Sequence, residues 1–230
     1  MVQKINKLRV FLVLVAVFFQ AGCKFGGIVS VLGTPTPYEK KIPAEYDLTM
    51  RAKQKIVVLV HQPAYLDAQS NLRYYLTDAM NEELRKKIKI SSKYLVSYEE
   101  LAEFRSNRAD FSLLSPVDVG SALDADLVLL VVIEDYQLEE VDEAIFQNAF
   151  LACQTVLFDA ATAEKLCPET EESKSIKVGF EVGSRDKELA VVRLSSGCAF
   201  CTVRYLYNCP KGRFRIADDR SGTGWEDWEQ

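Results

Sequence analysis

This 230-residue chain has one histidine, three methionines and two tryptophans. The lone imidazole, His61, is not accompanied by a G-x-S-x-G nucleophile turn, so a serine-type triad of nucleophile, base and orienting acid has no motif to rest on. Positive charge is also short. Lys and Arg total 28 against 33 Asp and Glu, a formal charge of −5. An acidic balance with no basic cluster among aromatics excludes nucleic acid, and excludes binding to anionic lipid by charge. No apolar run reaches the roughly 20 residues a spanning helix needs. The longest, Val10 to Phe19, stops at Gln20 with Lys24 soon after. Six cysteines in such a length do not make a dense disulfide framework, and no internal repeat is visible.

The short apolar run follows Lys4, Lys7 and Arg9, the layout of a secretion signal with a basic leader and an apolar centre. The sequence then reads Ala21-Gly22-Cys23, which resembles the lipobox of bacterial lipoproteins, with Gln20 where that motif usually has leucine. The resemblance implies that residues 1–22 are removed and that Cys23 becomes a diacylglyceryl amino terminus. The alternative is ordinary cleavage after Cys23. Residues 23–45, with Gly26, Gly27, Gly33, Pro35, Pro37 and Pro43, read as a flexible tether. The remaining 208 residues would carry a charge of −8, because the leader holds three positive and no negative charges.

Residues 46–212 read as one domain. "IVVLV" (Ile56–Val60) and "LVLLVVIE" (Leu127–Glu134) are continuous apolar runs, expected as strands covered on both faces. Leu72, Leu76, Met80, Leu84 and Ile88 recur every four residues and predict an amphipathic helix, with Glu82–Lys86 and Glu83–Lys87 on its exposed side. "KYLVSY" reads as a short strand. Ser97 with Glu100 predicts a capping box, Ser115-Pro116 starts another helix, and Gly120 ends it. A long strand from about Ala144 to Phe158 turns at "DAATAEKL" and returns towards Pro168, whereas Lys174–Gly183 is ambiguous. Ser184 caps a last helix from Arg185 to about Tyr207, with Leu189, Val192, Ala199, Phe200, Val203 and Leu206 on its apolar face. The expected fold class is α/β leaning to α+β. It has a single mixed sheet with helices packed on it, a late long β-hairpin and a carboxyl-terminal helix. Residues 213–230 read as a disordered acidic tail.

From about residue 54 to 207 this pattern resembles a group of bacterial envelope lipoproteins: the curli secretion channel, the TolB amino-terminal domain and penicillin-binding-protein activators. The resemblance rests on "IVVLV", the helix ending in "LRKKI", "LDADLVLLVVIEDY" and the turn "FDAATAEKL", where Ala163 stands in place of the group's glycine. It implies assembly or scaffolding of envelope machinery rather than catalysis. Pore-forming members add amphipathic membrane hairpins. "EDYQLEEVDEAIFQ" has carboxylates on both faces and does not suit a barrel wall.

The expected function is therefore a non-enzymatic lipoprotein that binds or scaffolds other envelope proteins, with a homo-oligomer as an option. It is placed on the outer membrane facing the periplasm and uses no cofactor. Cys23 is the lipidation site, and Trp225 and Trp228 of "WEDWE" are candidate docking residues. A secreted enzyme centred on His61, Tyr65 and strand-end carboxylates is the rival. Glu134, Asp135, Glu139, Glu140, Asp142 and Glu143 are read as one solvated connection. The cysteines read first as buried structural thiols; the other rival is a thiol or zinc protein using Cys198, Cys201 and Cys209, whose C-x-x-C pair falls in mid-helix, away from the first turn that activates thioredoxin-type thiols. Cys153 and Cys167 lie on the two arms of the predicted hairpin. A loop over Ala160–Ala163 would pair Cys153 with residue 170 and Cys167 with residue 156, pointing the thiols to opposite faces.

Overall fold

The computed structural model describes residues 41–66, 71–140, 147–182, 187–210, 214–215 and 225–226. In chain order they form β1 (Lys41–Ile42), β2 (Ile56–His61), α1 (Leu72–Glu83), α2 (Tyr98–Ser106), α3 (Pro116–Ala122), β3 (Leu127–Glu140), β4 (Gln147–Asp159), β5 (Lys165–Cys167), β6 (Lys174–Val182), α4 (Lys187–Val203), β7 (Cys209–Pro210), β8 (Phe214–Arg215) and β9 (Trp225–Glu226). Strands β2 to β6 make one mixed sheet with the four helices packed on it. β2 and β3 are parallel, from Ile56 opposite Leu127 to His61 opposite Val132. β4 runs antiparallel to β3, and β5 and β6 share its far edge.

Side-chain alternation divides the core in two. Ile56, Val58, Val60, Leu127, Leu129, Val131 and Ile133 pack with Leu76 and Met80 of α1 and Leu194 and Cys198 of α4. Val57, Leu59 and Val128 face the other way, against Leu101 of α2 and Val119 and Leu123 of the α3 region. Both faces of β2 and of the first half of β3 are thus covered, which is why these strands read as unbroken apolar runs. β6 is covered on one face only: Ile176 and Val178 are buried, while Ser175, Lys177 and Gly179 are exposed. The ambiguous stretch is a strand whose apolar signal is spaced by two.

The carboxylate-rich stretch is not a connection at its start. β3 runs on to Glu140, so Glu134, Asp135, Glu139 and Glu140 are strand residues; Asp142 and Glu143 lie outside the described residues. A bulge explains why the pattern misleads. Pairing steps from Ile133–Cys153 to Asp135–Ala152, leaving Glu134 as the extra residue. One inserted residue reverses the parity of everything after it. Tyr136, opposite Leu151, therefore returns to the core at 6% exposure, and Leu138 packs against it.

The motif before β3 fixes the register of the parallel pair. The carboxylate of Asp126 accepts the Lys55 backbone N–H at 2.6 Å, and the Lys55 carbonyl accepts from Asp126 N and Leu127 N at 2.7 and 3.0 Å. At the β4–β5 turn, Asp159 Oδ1 accepts from Ala161 N and Thr162 N, both at 3.0 Å. Ala163 has φ 59°, the left-handed region that favours glycine. This return strand is short: Cys167 pairs with Leu157, and Cys153 sits opposite Ile176 of β6.

The α1 stripe is buried as its spacing predicts, and the helix continues through a π-turn, Leu84–Ile88, to Lys89 at φ 67°. Four corrections concern one expected strand and the ends and faces of helices. "KYLVSY" supplies only a single bridge, Leu95 to Ile56, after a 3-10 turn at Ser92–Tyr94. Ser97 caps α2, but the Glu100 carboxylate goes to Lys55 Nζ at 3.2 Å; the full capping box belongs to Ser115 and Asp118. Gly120 lies inside α3, and the chain turns at Asp124, φ 51°. α4 buries Ala190, Val191, Leu194, Ser195, Cys198, Ala199, Cys201 and Thr202, because α1 covers one flank and β4 and β6 another, while Val192 is 39% exposed. Arg185 and Ser184 lie outside the described residues.

Glu82 of α1 pairs with Lys86 at 2.8 Å and with Arg85. Its neighbour Glu83 is instead half-buried, with Oε2 lacking a hydrogen-bond partner among the described residues. Burial raises its carboxyl above the ordinary value, against the pull of Lys87 and Lys86. A carboxyl raised by folding favours the folded state at low pH, and that contribution is lost as pH rises through its folded value. Glu83→Gln is therefore expected to raise the melting temperature at pH 7. The gain should shrink on acidification and vanish below the unfolded carboxyl range, as followed by thermal melts across pH.

Candidate functional site

Helices α2 and α3 do not cover the whole of their sheet face. Val57 and Val128 lie fully beneath them, but Leu130 and Val132, further along β3, are only half-buried. His61 ends β2 on this same face, two and four residues beyond Leu59 and Val57. Where the helical layer stops, a cavity of about 450 Å³ opens at the carboxyl end of β2. Crevices at the carboxyl ends of parallel strands are the usual ligand sites of open α/β sheets.

Leu59, His61, Leu130 and Val132 supply the sheet side of the cavity; Phe111, Leu114, Pro116 and Val119 supply the α3 side. Gln62, Arg73, Arg105 and Ser112 add polar groups. Two of these are held by short local ties. Arg73 Nη2 donates to the Gln62 carbonyl at 3.1 Å, and the Gln62 side-chain oxygen accepts the Arg73 backbone N–H at 3.2 Å. Gln62 is 4% exposed, so this amide is a built part of the wall. The Arg105 guanidinium lies 4.9 Å from the Phe111 ring centre, and Phe111 stacks edge-on with Phe104 at 6.0 Å.

The groups of the rival enzyme reading are not drawn together. His61 lines the cavity, but Tyr65 is 66% exposed and its hydroxyl donates to the Glu134 carbonyl at 3.0 Å. Glu134 accepts from Gln154 Nε2 at 3.0 Å, and Asp135 from Gln137 Nε2 at 2.8 Å. These carboxylates sit on strand β3, committed to neighbouring amides. Gln62, Arg73 and Arg105 were not singled out by the sequence. They come from separate segments, and only the parallel register of β2 and β3 brings those segments to one place.

The thiols are buried, as the sequence leads one to expect, but Cys153 and Cys167 do not face the hairpin positions expected for them. All five described cysteines are buried and reduced. Cys153 of β4 and Cys198 of α4 are neighbours in the core, and the Cys198 thiol, then burial, holds Cys153 well above the ordinary thiol range. Cys209 Sγ donates to Tyr207 Oη at 3.2 Å, and burial followed by this contact raises the tyrosine. Cys167 lies 3.8 Å from Glu45 Oε2, and burial, then that carboxylate, pushes it up to about 11. Cys153 and Cys167, raised in this way, are poor nucleophiles and poor metal ligands. Among the described residues no group of three His, Cys, Asp or Glu side chains is placed to hold a metal ion. Cys23 and Trp228 lie outside the described residues; the Trp225 backbone pairs with Arg215.

No family model matches the chain, and no curated protein matches its sequence. Among solved structures, it is similar to the lipoprotein GNA1162 of Neisseria meningitidis, with 14% identity over 62% of this chain and 94% of that one, at a TM-score of 0.39. It is likewise similar to the PelC dodecamer of Paraburkholderia phytofirmans, with 10% identity over 73% and 97% of the two chains and a TM-score of 0.38. A third is the LpoB carboxyl-terminal domain of Salmonella enterica, with 15% identity over 60% and 84% and a TM-score of 0.32. Bacterial lipoproteins are thus among the solved structures to which this chain bears a distant likeness.

Proposed function

We propose that the protein is a lipid-anchored component of a bacterial envelope, held through diacylglyceryl-Cys23 on the periplasmic face of the outer membrane. Its folded domain binds or scaffolds other envelope proteins and does not catalyse a reaction. The observation that carries this reading is the basic leader, short apolar run and Ala21-Gly22-Cys23 at the amino terminus. Two or more acyl chains on one cysteine give stable attachment, where a single chain gives only reversible binding. The chain's net negative charge gives it no electrostatic attraction to an anionic membrane. The site chemistry supports binding over catalysis. Around His61 stand cations, an amide and apolar side chains, a lining suited to holding a ligand.

Metabolic labelling with a clickable fatty acid tests the anchor. The wild-type chain is expected to take up label and to run as the processed form. Cys23→Ser is expected to lose essentially all label and to accumulate as the longer precursor. An unlabelled wild type, or a serine variant processed to the same size, contradicts the reading.

A further inference from the structure

Two cysteines far apart in sequence meet where α4 packs on the sheet. Cys153 sits in the middle of β4, between Ile133 of β3 and Ile176 of β6, on the face that α4 covers. Cys198 lies four residues beyond Leu194, on the side of α4 that is turned to the same core. The two are neighbours there, and neither has any exposed surface. Two of the other thiols have neighbours of a different kind: Cys167 lies beside the Glu45 carboxylate and Cys209 beside the Tyr207 hydroxyl.

We propose that Cys153 and Cys198 are joined by a disulfide when the chain folds in an oxidising compartment, and that the thiol pair seen here is the reduced form of that staple. The compartment rests on the export reading above; the pairing rests on the packing of α4 against β4. The oxidant is itself a disulfide, carried by a thiol oxidoreductase or by glutathione. The thiolate of one cysteine attacks it, which forms a mixed disulfide and releases one oxidant thiol. The thiolate of the other cysteine then attacks the protein sulfur of that mixed disulfide. The Cys153–Cys198 bond forms as the second oxidant thiol leaves. Two electrons pass to the oxidant, and the two thiol protons end on its two sulfurs. In the folded protein both sulfurs are sealed from solvent, so closure belongs to the folding chain, before α4 settles on β4. The bond encloses β5, β6 and most of α4 in one loop. It restricts the unfolded chain and holds the helix on its sheet.

The full chain, purified from its native cell, reduced and unfolded in urea, then refolded against glutathione disulfide, tests the pairing without reference to compartment. After alkylation and digestion, mass spectrometry is expected to show one pair of peptides joined through Cys153 and Cys198 and separated by dithiothreitol. Cys167, Cys201 and Cys209 should carry the alkyl group. The oxidised protein should melt roughly 5–15 °C above the same protein refolded in reductant. In Cys198→Ala the two preparations should melt together, whereas a thiol that only fills the core would give no redox difference in the wild type either. Cys153→Ala provides the same readout, and the wild-type comparison decides by itself where a variant does not fold. A refolded wild type with every thiol alkylated overturns the proposal, as does one with Cys153 or Cys198 joined to a different cysteine. Protein trapped with acid in the native cell should hold the same cross-link. Reduced thiols there would also overturn the proposal; if the bond forms on refolding, the failure lies in the export reading, and otherwise in the pairing.

Discussion

Gly120→Ala is expected to destabilise the protein by about 2 kcal/mol, read as a lower urea midpoint at an unchanged slope. By helix propensity alone the change should help, by about 1 kcal/mol, because Gly120 lies inside α3. Packing decides against it. A Cβ at this position would stand 2.3 Å from Val128 Cγ2 and 3.3 Å from Ala160 Cβ. Val128 is fully buried in β3 and, being β-branched, has few rotamers to escape into. The helix itself must lift off the sheet, and overpacking of this kind costs about 1–3 kcal/mol before relaxation. Val128→Ala removes the clashing methyl. The double variant should therefore be more stable than the sum of the two single losses by about 1 kcal/mol or more. Additivity within error would mean that α3 does not approach β3 as described.

Leu151→Ala is expected to cost about 3 kcal/mol, within the range for emptying a fully buried leucine site. Leu151 sits in the half of the β3–β4 hairpin beyond the bulge, opposite Tyr136 on one side and Val178 on the other, with no exposed surface. Its chain neighbour Phe150 faces the other way and is only half-buried. Phe150→Ala should lose about 1 kcal/mol, since much of the ring is already in water. Chemical denaturation of both variants distinguishes a packed outer hairpin from a solvated connection. Equal small losses would restore the connection that the carboxylates suggest.

What the sequence made legible follows from how each element is covered. The α1 stripe could be read because one face of the helix meets one layer of core, and a four-residue repeat survives that geometry. β2 and the start of β3 could be read because both faces are buried and the apolar run is unbroken. The second half of β3 could not. Glu134 is one residue in excess, so Tyr136 and Leu138 fall out of phase with Ile133, and four carboxylates on a strand pass for a loop. α4 is flanked on two sides, which spreads its buried positions beyond any single stripe and puts Val192 outside. Gly120 shows a different limit: a glycine that permits close approach looks the same in sequence as one that stops a helix.

The candidate site was legible only at His61. Its position after an apolar strand marks a loop where sites gather, but the arginines that share the cavity sit on α1 and α2 and carry no motif. Burial of the thiols could be expected from the sequence, but which thiols meet could not. A C-x-x-C spacing catches the eye, whereas Cys153 and Cys198 meet only because α4 crosses β4.

The central claim is that Cys23 anchors this domain to a membrane, and mass spectrometry of the mature amino terminus from the native cell tests it most directly. The expected result is an amino-terminal peptide beginning at Cys23 and carrying the mass of diacylglycerol. An unmodified terminus at Lys24, or a chain that retains Met1, would contradict the account.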